Sequence, residues 1–171
     1  IGIAAIAVAL STGVVRFGLW TPGSARAQSA TTSAIRVTLL GTAAGPPVNL
    51  DRYEAGTLVE AGNQKLLFDC GRGVTLRLAQ AGVNLAQVRM LFLTHLHSDH
   101  VSGLPDLWLT ALARGRPEPL LLYGPQGTAA MMSHIEKAWS ADNDIRTNGL
   151  EHGNRTGSHA VAHEINPGVV Y

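Results

Sequence analysis

A single cysteine, Cys70, leaves this chain of 171 residues no intrachain disulfide. An oxidising compartment is therefore tolerable but adds no stability. An excess of basic charge is missing too. Of the 13 basic residues, Arg16 and Arg26 precede Gln28, and all 12 acidic ones follow it, which leaves a net charge of −1 after Ala27. That balance is not the footprint of a nucleic-acid binder, although a local basic patch stays open. The apolar run from Ile1 to Val15, broken only by Ser11 and Thr12, is shorter than the roughly 20 residues a membrane-spanning helix needs. No internal repeat is visible.

The same run suits the core of a signal peptide, and Ser24-Ala25-Arg26-Ala27 offers a small-x-small cleavage site. Residues 1–27 read as a signal peptide whose initiator Met and basic start are missing, with cleavage expected after Ala27. Residues 28–171 are then the mature part. No cysteine adjoins the site, so a lipoprotein anchor is not expected. An uncleaved N-terminal anchor is the alternative. The cleaved protein is expected in the periplasm or outside the cell, without stable membrane insertion.

One dense stretch stands against these absences: Thr94-His95-Leu96-His97-Ser98-Asp99-His100. It holds three imidazoles and one carboxylate, ligand types for zinc and similar divalent ions. Val88 to Thr94, short and free of Gly and Pro, reads as a buried strand. The cluster thus sits where a core strand leaves for a loop. Where the chain is still extended, His95, His97 and Asp99 point to one side, and the two imidazoles can hold one ion. As the chain bends, Asp99 and His100 can reach a second. A zinc takes about four ligands, so these side chains cannot close two sites without help from elsewhere. A polar surface turn that binds nothing is the alternative. Charged and imidazole groups directly after a core strand argue against it.

The remaining organisation is coarser. Ile35 to Leu40, Thr57 to Glu60 and Lys65 to Asp69 read as strands, with Gly62-Asn63 turning the last two into a hairpin. Val74 to Ala81 has helical spacing and stops at Gly82. Leu104 to Ala113 reads as a helix, Leu120 to Tyr123 as a short strand, and Thr128 to Ser140 as another helix. Ala141 to His159 is polar, lacks a period and reads as a surface loop or arm. Strands first, then alternation with helices, suit a layered α/β design. Cys70 is expected to pack as a small apolar residue rather than act as a nucleophile. His134 reads as part of a solvated helix face. His152, His159 and His163 match no ligand motif.

His95-x-His97-x-Asp99-His100 matches the signature of the metallo-β-lactamase fold hydrolases, and the chain resembles that family well beyond it. Leu39-Leu40-Gly41-Thr42 with Pro46-Pro47, Leu66-Leu67-Phe68-Asp69-Cys70-Gly71, Gly103-Leu104-Pro105, Leu122-Tyr123-Gly124-Pro125-Gln126-Gly127 and Glu164-Ile165-Asn166-Pro167-Gly168-Val169-Val170-Tyr171 resemble the motifs of the ribonuclease Z branch, in the same order. Ala43-Ala44 stands where that branch often has a further Gly. Ser98 departs from the glycine usual in tRNA-processing members. It is more similar to secreted relatives grouped with arylsulfatase-type and cyclic-nucleotide phosphodiesterase enzymes.

The resemblance implies an αββα sandwich, with this chain as its N-terminal half. It implies two zinc ions in the complete protein, the first held by His95 and His97 and the second by Asp99 and His100. It makes Asp69 a carboxylate that orients the ligand loop, a simple turn aspartate being the alternative. In the family a third histidine, a bridging aspartate and a further histidine come from the second half of the fold. This chain would then carry half a metal site.

The expected function is hydrolysis. A water between two cations would lose a proton at neutral pH and attack a phosphodiester, with Asp99 also a candidate proton acceptor. Arylsulfatase-type cleavage of a sulfate ester is the next reading, and tRNA 3′ processing another. β-Lactamase activity is not favoured by the motif order. A metal-binding or redox-accessory module is the reading outside enzymes. Export and tRNA processing pull against each other, and the signal peptide favours a small phosphodiester or sulfate ester. A homodimer stays open.

Overall fold

The chain divides into two units, Ile1–Thr32 and Ser33–Tyr171. The computed structural model describes residues 34–45 and 47–166, all within the second unit. The expected signal peptide, its cleavage site, Pro46 and the final segment from Pro167 to Tyr171 lie outside the described residues.

Six strands form one sheet in the order β1 to β6: Arg36–Gly41, Gly56–Ala61, Gln64–Phe68, Met90–Phe92, Leu120–Gly124 and Ala160–Glu164. The first two pairings are antiparallel and the last three parallel. The parallel crossovers carry helices, as they must to return the chain to the same edge. These are α1 (Val74–Gln80), α2 (Ser98–Val101) with α3 (Leu104–Ala113), and α4 (Thr128–Ala138) with α5 (Ser140–Asn148). Among the described residues no helix is long and apolar enough to cross a membrane.

Local chemistry explains most boundaries. Gly62 takes the positive φ of 58° that the tight β2–β3 turn requires. Gly82, at φ 73°, ends α1, with its N–H donating to the Ala79 carbonyl and that of Val83 to Leu78. In α3, Leu104, Leu107, Trp108, Ala111 and Leu112 are buried, at the i, i+3, i+4, i+7, i+8 spacing of a core-facing stripe.

The register sorts the sheet into two faces. Thr38, Leu58, Leu67, Leu91, Leu122 and Ala162 form one row across all six strands, on the helix-covered face. The opposite face carries the rows Val37, Val59, Leu66, Met90, Leu121, Val161 and Leu39, Thr57, Phe68, Phe92, Tyr123, His163. In the second row Phe68, Phe92, Tyr123 and His163 stack in sequence, with ring centroids 4.9–5.1 Å apart. This face is apolar too, and Val37 and Leu39 are 59% and 62% exposed. A sheet apolar on both faces is built to be covered on both. Residues 28–171 expressed alone are therefore expected to aggregate and to bind a hydrophobic dye such as ANS. A soluble, dye-negative monomer would show that this face needs no cover.

Several expectations are corrected. The strand into the motif is Met90–Phe92 rather than Val88 to Thr94. The helix expected to run to Ser140 stops at Ala138. The stretch from Ala141 onward, expected to be irregular, begins inside α5. That helix buries none of its residues, so it leaves no hydrophobic period to read. Its turns are linked instead by Arg146 to Asp142 at 3.0 Å and by the Thr147 hydroxyl to the Asn143 carbonyl. The segment after α5 is docked by Arg116, which is fully buried and donates from Nε and Nη2 to the Gly157 carbonyl and from Nη2 to that of Trp108. Burial pushes the Arg116 guanidinium down to about 10.

Candidate metal centre

The motif lies at the carboxyl end of the parallel strands, where open α/β sheets place their ligands. The Asp69 N–H bonds the Phe92 carbonyl at 2.8 Å, and the Leu93 N–H bonds that of Tyr123 at 2.7 Å. Those bonds fix where the β3 and β4 chains turn out of the sheet. Asp69 then adopts φ 59°, a left-handed conformation that aspartate tolerates better than most residues. This turn aims its carboxylate at the motif.

A chain of hydrogen bonds follows from that carboxylate. Asp69 Oδ1 accepts from the Thr94 N–H at 2.8 Å, and the Thr94 hydroxyl lies 3.0 and 2.9 Å from its two oxygens. Asp69 Oδ2 lies 2.8 Å from His100 Nδ1. An ionised carboxylate only accepts, so His100 donates to it from Nδ1, leaving Nε2 as the ring nitrogen turned away from Asp69. The Thr94 hydroxyl gives its hydrogen to Asp69 and so accepts from His95 Nδ1, 3.1 Å away. His95 Nε2 is thereby the ring nitrogen turned toward His97. One buried carboxylate thus orients two imidazoles, His100 directly and His95 through Thr94.

The donor atoms then fall into two pairs. His95 Nε2 lies 3.1 Å from His97 Nδ1, and His100 Nε2 lies 3.6 Å from Asp99 Oδ2. Two ligands at 2.0–2.1 Å on one tetrahedral zinc are about 3.3 Å apart. Both pairs therefore fit a divalent cation. Among the described residues no group of three or more His, Cys, Asp or Glu is placed to hold an ion. The backbone differs from the expected extended run. His97 is still extended, but Asp99 and His100 sit in the helical turn α2, with the His100 ring 4.0 Å from that of His95 between centroids. Asp99 is only 7% exposed. The Gly45 N–H, donating to its Oδ2 at 2.8 Å, holds its carboxyl below the usual carboxylate range, with the nearby imidazoles adding to the effect.

The structure keeps the other candidates apart from this cluster. Cys70 is fully buried, and burial, then Asp106 and Asp69, push its thiol far up, so no thiolate forms near neutral pH. His134 is exposed and donates from Nδ1 to the Ala130 carbonyl one turn back. His152 and His159 are exposed, and His163 stacks on Tyr123 at the sheet edge. Sequence reasoning missed Thr94, Gly45 and Glu54. Thr94 was legible as the residue that ends the strand. Nothing local marked Gly45, which lies 54 residues from Asp99 in sequence, or Glu54, which lies 18 from Arg72 and 48 from Ser102.

Close packing behind the motif needs glycine. A Cβ at Gly103 would sit 2.3 Å from the Gly71 carbonyl oxygen and 3.0 Å from that of Cys70. Both are backbone atoms, so rotating a side chain cannot relieve the clash. Gly103→Ala is expected to destabilise the fold by about 1–3 kcal/mol, read as a lower urea midpoint. An unchanged midpoint would mean that the loop can move aside.

Known proteins resemble this chain in both sequence and fold. The family model described as Anti-Pycsar protein Apyc1 matches residues 35–150. A protein named Ribonuclease Z from Mycolicibacterium gilvum is 44% identical over 144 residues, covering 80% of this chain and 48% of the relative. A Ribonuclease Z of Mycobacterium marinum is 46% identical over 113 residues, 63% of this chain and 39% of the relative. The crystal structure of human tRNase Z, short form, superposes with a TM-score of 0.58 at 30% identity, covering 75% of this chain and 44% of that one. A metallo-β-lactamase fold protein from Bacillus subtilis gives a TM-score of 0.57 at 21% identity, with 78% and 47% covered. The chain spans about half the length of the curated relatives it matches.

Proposed function

This chain belongs to the family of Anti-Pycsar protein Apyc1 and has the ribonuclease Z-like form of the metallo-β-lactamase fold; from that premise we propose that the complete protein is a zinc-dependent hydrolase that cleaves phosphodiester bonds. The observation that carries this reading is the pairing of ligand atoms, His95 Nε2 with His97 Nδ1 and Asp99 Oδ2 with His100 Nε2, beside the Asp69 carboxylate. Divalent cations bound there supply Lewis-acid catalysis and a more acidic water.

Each residue of the chain has its own part. His95 and His97 would offer two ring nitrogens to one ion. His100 presents Nε2, with its ring locked through Nδ1 by Asp69. Asp99 adds negative charge beside His100 and offers an oxygen that can take up a proton. The Gly45 N–H keeps that carboxylate ionised and aimed. Two ions per complete protein are the proposed complement, with the remaining ligands supplied from outside this chain.

The proposed substrate is a small organic phosphodiester. The net charge of −1 after Ala27 supports that choice over a long polyanion. Export to the periplasm supports it as well, and rests on the apolar run and the cleavage motif at Ala25-Arg26-Ala27. A mature N-terminus at Gln28 in a periplasmic fraction is the expected result; an intact start in the cytosol would overturn export. A second reading, cleavage of precursor tRNA, is favoured by the relatives named Ribonuclease Z. Assays of the full-length protein separate the readings. Hydrolysis of bis(p-nitrophenyl) phosphate, lost with EDTA and restored by zinc, is expected. Turnover confined to p-nitrophenyl sulfate or to precursor tRNA would overturn the proposed substrate class. No turnover of any of the three, with metal bound, would favour a metal-binding module.

A further inference from the structure

Glu54 lies in the β1–β2 connection, outside every motif, and yet is only 4% exposed. Burying a carboxylate is expensive unless something compensates it. Its Oε2 accepts from the Arg72 N–H at 2.7 Å and from the Ser102 hydroxyl at 2.9 Å. Its Oε1 has no aligned hydrogen-bond donor, and is compensated instead by Arg72 Nη1 at 3.2 Å. Its own N–H returns a bond to the Arg72 carbonyl, and Gly71 N–H bonds the Ala55 carbonyl.

The two partners of Oε2 belong to the two segments that build the second donor pair. Arg72 follows the loop that carries Asp69. Ser102 caps α2, which carries Asp99 and His100, and its N–H bonds the Ser98 carbonyl at 2.8 Å. The same two segments are stitched by Cys70 N–H to the His100 carbonyl at 2.7 Å and Gly103 N–H to the Cys70 carbonyl at 2.8 Å. Glu54 is also close. A Cβ at Gly71 would touch the Asp99 carbonyl oxygen at 2.2 Å on one side and Glu54 Cβ at 2.5 Å on the other. Both therefore crowd the space that a side chain at Gly71 would need.

We propose that Glu54 is a positioning residue for the Asp99–His100 half of the metal centre, clamping the Asp69 loop to α2 and so fixing His100 against Asp69. This rests on the metal-centre reading above. The first pair, His95 and His97, hangs from the end of β4 and makes no bond to Glu54; Asp69 reaches it only through Thr94, so the smaller effect falls there.

The test is zinc affinity of the full-length protein, measured by competition with a chromophoric chelator. Two backgrounds isolate the sites: His100→Ala, which leaves the His95–His97 site, and His95→Ala, which leaves the other. Glu54→Ala is expected to weaken zinc about 10–100-fold in the His95→Ala background and by less than about threefold in the His100→Ala background. Glu54→Gln, which keeps an oxygen for Arg72 N–H and the Ser102 hydroxyl, should restore affinity to within a few-fold of the parent. If Glu54→Ala does not fold, Ser102→Ala removes one arm of the clamp and should weaken chiefly the same site. Equal weakening of both sites, or none in either, overturns the role of Glu54. Absence of zinc binding in the parent protein would overturn the metal-centre reading itself, and the clamp with it.

Discussion

His95→Ala or His97→Ala in the complete protein removes one zinc ion and nearly all hydrolysis, while His134→Ala does neither. The two nitrogens lie 3.1 Å apart and would share one ion under the proposed reading, so losing either would leave a site with one fewer ligand. Changing an outer partner of a metal ligand already costs about 10–100-fold in affinity or activity, so loss of the ligand itself should exceed that. His134 is exposed and bonded to its own helix, and its removal disturbs no part of the cluster. Metal content by mass spectrometry and turnover of a chromogenic phosphodiester check both halves. Equal effects at His97 and His134 would show that the ligand set has been misassigned.

Asp99→Asn lowers turnover by roughly a hundredfold or more, since general-base catalysis alone contributes about 10²–10⁴-fold. The substitution keeps the shape and one oxygen, which can still accept from the Gly45 N–H. It removes the charge that this bond and the neighbouring imidazoles stabilise. Metal content should fall less than in the histidine variants, because an amide oxygen remains beside His100. Retained turnover with an intact metal complement would remove Asp99 from the chemistry.

Where the physics is local, the sequence was readable. Helix α3 runs from Leu104 to Ala113 as its apolar spacing indicates, and Gly62 and Gly82 turn the chain where their freedom at positive φ is needed. The metal motif was legible as residue types, and the geometry adds which atoms face one another. What escaped reading is non-local or unpatterned. Helix α5 has no apolar stripe and is held by polar links, so periodicity was silent there. Strand β6 is short and half exposed, and parallel pairing with β5 is what defines it. The turn that carries Asp99 and His100 depends on the Cys70–His100 backbone bond, a contact no spacing rule reveals. Glu54 is hidden for the same reason.

The central claim is that two donor pairs on this chain each hold one metal ion in the complete protein. Metal stoichiometry of the full-length protein, purified without added metal and weighed by native mass spectrometry, tests it most directly. Two zinc ions per chain are expected, with one remaining after His95→Ala and one after His100→Ala. A wild-type protein without metal, or variants that both retain two ions, would contradict it.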